Sequence, residues 1–299
     1  MPSNRAGRRA VSSPRPCGCG CVTRQPRYPS DLTDAQWEVI APLLPVPLWQ
    51  TPLGGRPEKH HRRAVVDAIL YLVDNGAKWR ALPGDFPPWR TVYGIFAAWS
   101  RDRVSADLVD ELRAAARRAL GREAEPSAGC LDSQSVHESA EGVVPAVSSG
   151  FDPHKKVNGR KRHILTDTLG FLITVAVTPA SAQDREAACH VVAAARHRGR
   201  HRLAHVWADN GYHGDWIAWA RYHHGVRIEI VARPDGMQGF QVLPRRWAVE
   251  RTLAWISRRR RCARDYERRP AHHAAMVQWA AIFQMTRHIA RLPQPQTTL

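Results

Sequence analysis

The chain has 299 residues, 43% of them apolar, and its 44 lysines and arginines outnumber 27 aspartates and glutamates for a formal net charge of +17. That length suffices for one large domain or two smaller ones with a sizeable core, and the charge favours a polyanionic partner, nucleic acid or an anionic surface. No apolar run approaches the ~20 residues that span a bilayer, and the N-terminal segment lacks the apolar stretch of a signal peptide, so a soluble, cytoplasmic protein with no membrane partner is expected. Of six cysteines, Cys130, Cys189 and Cys262 stand alone in core-like positions, as buried free thiols of a reducing compartment do. Cys17, Cys19 and Cys21 have one-residue spacers and no partner pair at zinc-site spacing.

Residues 1–27 carry six arginines and no acid among proline, serine and glycine, which predicts a disordered basic tail. It is either a nucleic-acid-contacting arm or an over-extended start, with Val22 as an alternative initiation point. Order is expected from Tyr28. Thr33 with Gln36 three residues on is a capping box, and Trp37, Ile40, Ala41 and Leu44 share a face until Pro45 and Pro47 end the helix. A second helix is predicted over 62–75, with Val65, Val66, Ile69, Leu70 and Val73 inward and Gly76 as its stop. A third covers 89–101, with Val92, Ile95, Phe96 and Trp99 on one face, and a fourth about 105–120. Residues 28–120 therefore form a small all-α, helix-turn-helix-like domain. It would either place Arg90, Thr91 and Tyr93 in a groove or serve as ordinary packing.

After a linker over 121–127 the pattern changes. Strands are predicted over 128–136, 162–167, 171–178, 203–208 and 226–232, and helices over 184–198, 214–224, 244–261 and 270–289. Thr168-Leu-Gly170 closes a tight hairpin. The order β-β-β-α-β-α-β-α over 128–291 resembles a ribonuclease-H-like α/β layout, a mixed sheet with flanking helices, followed by a short tail over 292–299. No internal repeat is visible.

Three carboxylates stand out. Asp132 lies within the first predicted strand, Asp209 ends the run 203–208, and Glu250 lies on the predicted helix 244–261. An acid in a strand needs a partner to be tolerated, and a shared divalent cation would serve all three. Two such ions, about 3.5–4 Å apart, activate the nucleophile and stabilise the leaving oxygen in phosphodiester cleavage, and magnesium needs only a few hard oxygen ligands. Each acid also has a plainer reading. Asp132 could cap a turn with Ser133 and Ser135, Asp209-Asn-Gly could be a simple strand-to-helix turn, and Glu250 could pair with Arg246 at i,i+4 for a few tenths of a kcal/mol.

Ordered sequence blocks decide between them. Tyr28-Pro-Ser-Asp-Leu-Thr-Asp-Ala-Gln-Trp-Glu, Asp132-Ser-Gln-Ser-Val, the run from Lys155 to Gly170, Ala208-Asp-Asn-Gly-Tyr and Arg246-Trp-Ala-Val-Glu-Arg-Thr together resemble the DDE transposases of bacterial insertion sequences, in the group named after insertion sequence five. The resemblance implies that Asp132, Asp209 and Glu250 hold two Mg²⁺ ions, with Mn²⁺ able to substitute. It implies that Arg246 orients Glu250 or binds phosphate. The family's tyrosine and lysine places around the glutamate hold Leu243 and Ser257 here, with Arg258 as a candidate replacement for the lysine. The implied function is binding of element ends, metal-dependent DNA cleavage and transfer of the freed 3′-hydroxyl into target DNA. The implied partners are terminal inverted repeats, target DNA and a second or further copies of the chain, in the bacterial nucleoid. The rival expectations are a non-mobile nuclease of the same fold and a catalytically silent DNA-binding protein.

Two basic segments complete the expected DNA surface: Lys155, Lys156, Arg160, Lys161 and Arg162 after the first acid, and residues 245–269, where ten arginines face three acids with Trp247, Trp255 and Tyr266 interleaved. Arginine forks suit phosphates and aromatic rings stack on bases, so Arg245, Arg251, Arg258, Arg259 and Arg260 join the DNA-binding set. A solvated charged face is the plainer alternative. Asp167 and Asp184 are assigned structural roles, with a supporting catalytic role as the lesser alternative, and no histidine is assigned as a ligand.

Overall fold

The structure, a computed structural model, describes residues 24–140, 142–197, 202–231 and 246–292. Its first ordered contacts begin earlier than Tyr28. Arg24, 8% exposed, donates to Asp31 and Asp85 and lies 3.9 Å from the centre of the Phe86 ring, so this residue of the basic tail is a buried anchor. The capping box forms as expected. Thr33 accepts from the Gln36 N–H and Gln36 reaches back to the Thr33 N–H at the head of α1 (Asp34–Ile40). α2 (Arg62–Asn75) ends on Gly76, whose φ of 69° is open to a residue without Cβ. α3 (Trp89–Arg101) and α4 (Val104–Ala119) follow.

The sheet contains β1 (Ala128–His137), β2 (Gly150–Asp152), β3 (Val157–Asp167), β4 (Leu172–Pro179), β5 (His205–Ala208) and β6 (Arg227–Ile230). Its order is β2-β3-β1-β5-β6, with β4 also on β3. β1 and β3 are antiparallel, with Asp132 opposite Ile164, and β1, β5 and β6 run parallel. Interspersed are α5 (Asp184–His197) and α6 (Trp216–His224), then α7 (Trp247–Ser257), α8 (Arg260–Ala263) and α9 (Pro270–Ile289). This mixed α/β sheet with flanking helices, behind a helical N-terminal region, is the ribonuclease-H-like class expected. No described helix is long and apolar enough to cross a membrane.

Alternation along the strands builds two cores. Cys130, Ile164 and Leu172 face a cluster with α2, α3, α4, α7 and α9, centred on Trp279 and Phe283. Leu131, Leu165, Ile173 and Val206 face α5 and α6. The β3–β4 turn is fixed from three sides. Asp167 accepts from the Leu169 and Phe171 N–H groups, Arg117 of α4 donates to it at 2.5 Å, and Thr252 of α7 donates to the Gly170 carbonyl at 2.6 Å.

Two expectations are corrected by the length of β3. It starts at Val157 rather than at 162 and carries the basic run into the middle of the sheet, and β2, which no pattern announced, pairs with its first residues. Arg160, Lys161 and Arg162 are thus buried and withdrawn from the DNA-binding surface. Arg160, 0% exposed, donates to Asp265 at 2.9 Å and to the Glu267 carbonyl at 2.7 Å. Arg162 donates to the Cys262 carbonyl and to Ser257, and also to Gln134 of β1. On the opposite face, Lys161 lies 3.2 Å from Asp184 and donates to the Ala182 carbonyl. A run of cations reads as solvated, yet on a central strand each must find an internal partner. The predicted helix 244–261 also divides. Arg259 adopts an extended ψ of 116° between α7 and α8.

Asp265 accepts from His273 and the Glu267 N–H as well as from Arg160. Burial alone would raise its pKa, but these partners outweigh it and hold the carboxyl below its ordinary value of 3.8. A depressed carboxylate contributes stability above the unfolded-state value, and that stability is lost as pH falls through the folded-state value. Arg160→Met, which leaves the buried Asp265 charge with only His273 and the Glu267 N–H, is expected to cost about 3 kcal/mol, the low end for a broken buried pair, in denaturant unfolding at neutral pH. Part of that loss should disappear in acid, where Asp265 is protonated.

Candidate active site

The three acids arrive from separate elements on one face of the sheet. Asp132 has the same strand parity as Cys130, so it points to the α7 side, and its Oδ1 accepts from the Ser133 N–H at 2.7 Å. Asp209 follows Ala208 at the carboxyl end of parallel β5, where sheet topology opens a crevice. Its Oδ1 accepts from the Gly211 N–H at 3.0 Å, capping the short turn 210–212. Glu250 occupies the first turn of α7, where the helix N-terminus favours a negative charge.

They converge on one atom. Arg246 Nη2 stands 3.6 Å from Asp132, 3.8 Å from Asp209 and 3.5 Å from Glu250. The plainer reading of Glu250 as a surface partner of Arg246 accounts for only one of these three contacts. Asp132 and Arg246 are 14% and 13% exposed, Asp209 and Glu250 34% each, so the site is a shallow crevice with Asp132 and Arg246 at its more buried floor. Burial pushes the Asp132 carboxyl up to about 6, with the Asp209 charge adding and the Ser133 N–H and the Arg246 guanidinium opposing. Beneath the crevice the Tyr212 hydroxyl is raised well above its ordinary value by burial, with Asp184 and Asp132 adding to the shift.

Three carboxylates around one cationic point are the donor set a hard divalent ion takes. They surround the guanidinium too widely to bind an ion as they stand, and among the described residues no group of three candidate ligand side chains is gathered closely enough to do so. Donor type and convergence fit such an ion, and the spacing is that of the arginine. Asp184, the structural acid of the sequence reading, begins α5 and meets Lys161 at 3.2 Å and His163 at 3.8 Å. His163 is pushed down to about 4, chiefly by burial.

Of the expected DNA-contacting residues, Lys155 and Lys156 are exposed at the β2–β3 turn, and Lys155 Nζ reaches the Ser133 carbonyl at 3.2 Å, one residue from Asp132. Arg258 and Arg260 are exposed, whereas Arg259 is tied to Asp74 at 2.5 Å. Arg245 and Leu243 lie outside the described residues. Arg251 is clamped between the rings of Trp247 and Trp255, at 4.4 and 4.6 Å, and donates to the Leu169 carbonyl at 2.7 Å.

Arg251 also borders a cavity of about 540 Å³ between α7, the end of α9 and the β3–β4 turn, where Arg258, Arg259, Arg287 and Arg291 join it and, among the described residues, no carboxylate lines the wall. Arg287 and Arg291 escaped the sequence reading. Their i,i+4 spacing at the end of α9 was the available signal, and only the fold brings it to α7.

Two family models match the chain: "Putative transposase of IS4/5 family" over residues 32–109 and "Transposase DDE domain" over residues 123–284. The chain is 30% identical over 125 residues to "Putative transposase for insertion sequence element IS402" of Burkholderia cepacia, covering 40% of this chain and 59% of that protein. It is also 30% identical over 114 residues to "Uncharacterized protein y4sN" of Sinorhizobium fredii, covering 38% of this chain and 82% of that protein.

Proposed function

The chain belongs to the transposases with a DDE domain, whose family model covers more than half of its length, and from that premise we propose that it binds the ends of an insertion sequence, cleaves DNA there and joins the freed 3′-hydroxyl to target DNA. The observation that carries this reading is the convergence of Asp132, Asp209 and Glu250 on a single cationic point. Asp132, Asp209 and Glu250 would hold Mg²⁺ or Mn²⁺, which when bound would activate the attacking oxygen and stabilise the leaving one.

The remaining roles fall to the chain's own side chains. Asp132 is anchored by its strand and by the Ser133 N–H, Asp209 by the turn it caps, and Glu250 by a helix bolted to the β3–β4 turn through Thr252, so the three acids are carried on rigid elements and only their side chains need close on an ion. Lys155, held beside Asp132 by the Ser133 carbonyl, is placed to meet a phosphate entering the crevice. Lys156, Arg258 and Arg260 would extend the track outward, and Arg251, between its two tryptophans, would lead into the arginine-lined cavity. Two ends brought together would require at least two copies of the chain.

Asp132→Ala, supplied with a pre-cleaved end and a plasmid target, is expected to lose joining by about a hundred- to a thousandfold, the scale on which electrostatic groups act in catalysis. Joining that survives this change would refute the site assignment, and cutting without joining by the wild-type chain would favour a nuclease. Binding of end DNA should weaken steeply with salt, and Arg287→Ala with Arg291→Ala should flatten the slope of log K against log salt by about 0.9 for each phosphate that is no longer neutralised. An unchanged slope would remove the α9 arginines from the DNA surface.

A further inference from the structure

Arg246 does something to the three acids that orientation of Glu250 does not require. A partner that positioned Glu250 would hydrogen-bond to it. Arg246 Nη2 instead stands 3.5–3.8 Å from all three carboxylates, beyond hydrogen-bond length for each, and it is central to the group rather than attached to any member. Its Nε is buried with no hydrogen-bond partner among the described residues, so no directional bond from that atom to a described residue sets its place among the acids. Asp132 feels this charge directly, as the guanidinium opposes the burial and the Asp209 repulsion that raise its carboxyl.

We propose that Arg246 is an internal stand-in for the divalent cation, a guanidinium that neutralises Asp132, Asp209 and Glu250 at rest and must withdraw for an ion to enter. This rests on the reading of those acids as the cation site. A magnesium-sized ion binds carboxylate oxygen at about 2.1 Å. Oxygens arranged around a guanidinium at 3.5–3.8 Å have to close inward on it, and no room remains for the arginine. The two cations therefore compete for one set of ligands.

Withdrawal is feasible because Arg246 sits at the N-cap of α7, before the first helical residue. Its side chain can swing without disturbing the helix that carries Glu250. Once outside the acids it faces the same crevice as Lys155, where a DNA phosphate would be its partner. An ion and a phosphate then both favour the withdrawn arginine, and by linkage each raises the affinity of the other.

The test measures Mn²⁺ binding to the full-length chain by the electron paramagnetic resonance of the free ion, alone and with a mixed-sequence DNA duplex. Arg246→Ala is expected to bind Mn²⁺ about tenfold more tightly than wild type in the absence of DNA, on the scale of a typical coupling energy. The duplex is expected to tighten Mn²⁺ binding in wild type and to do so much less in the variant. Arg246→Lys, with its charge retained on a shorter reach, should fall between them, and Arg246→Gln gives the same comparison should the alanine variant fail to fold.

Unchanged or weaker Mn²⁺ binding on removal of the charge would overturn the proposal, since it would make Arg246 a gatherer of the acids. Asp132→Asn separates the two failures. If it binds Mn²⁺ like wild type, the acids are not the cation site. If it loses Mn²⁺ while Arg246→Ala gains nothing, the site stands and only the stand-in role falls.

Discussion

Charged side chains on the two central strands have little access to solvent, and each must be met by partners from elsewhere in the chain, an opposite charge for most and, for Arg162, the Cys262 carbonyl, Ser257 and Gln134. Asp132 of β1 is met by Arg246 ahead of α7, Arg160 of β3 by Asp265 between α8 and α9, Lys161 by Asp184 at the head of α5, and Asp167 by Arg117 of α4. Each pair joins a covering element to the sheet at a defined point. Apolar packing supplies the bulk of the burial, but it tolerates sliding. The ion pairs do not, and they fix where the ends of the helices lie relative to β1 and β3. The position of Glu250 above Asp132 follows from the anchoring of α7 to the β3–β4 turn through Thr252, which does not depend on Arg246.

α7 divides two electrostatic environments. Glu250 and Arg251 are adjacent in sequence and about 100° apart around the helix axis. One looks into the acidic crevice with Asp132 and Asp209, and the other lies between two tryptophans beside an arginine-lined cavity. A chain with a net charge of +17 thus keeps a small acidic site by placing it behind a helix, with cations on the other side. Long-range attraction of a polyanion and local binding of a cation need not then compete for the same surface.

Much of this architecture is legible in the residues alone. The Thr33–Gln36 cap, the Gly76 stop, the Asp167–Gly170 turn and the whole span of α9 follow from local rules, in which neighbouring residues decide the outcome. The three acids are legible as a group because the sequence blocks around them are ordered. The basic run 160–162 misleads because charge predicts exposure only where the backbone is at an edge, and strand order is not a local property. β2 escapes for the same reason, since a three-residue strand exists only through its pairing with β3. The meeting of Arg287 and Arg291 with α7 requires the path of α9 through the core, which no spacing reveals.

α9 runs through the larger core, where Trp279 stacks on Trp99 of α3 at 5.9 Å while Phe283 carries Arg259 on its face at 4.5 Å. The C-terminal helix is therefore shared property. The N-terminal helices lean on it as much as the sheet does, and neither half closes its interior without it. α9 follows the N-terminal helices and the sheet strands in chain order, so both leave the ribosome before it and wait with apolar surface open until it emerges. A chain that ends just after α9 would keep its acids, its turns and its cations, and a truncation reaching into α9 would leave two unfinished halves.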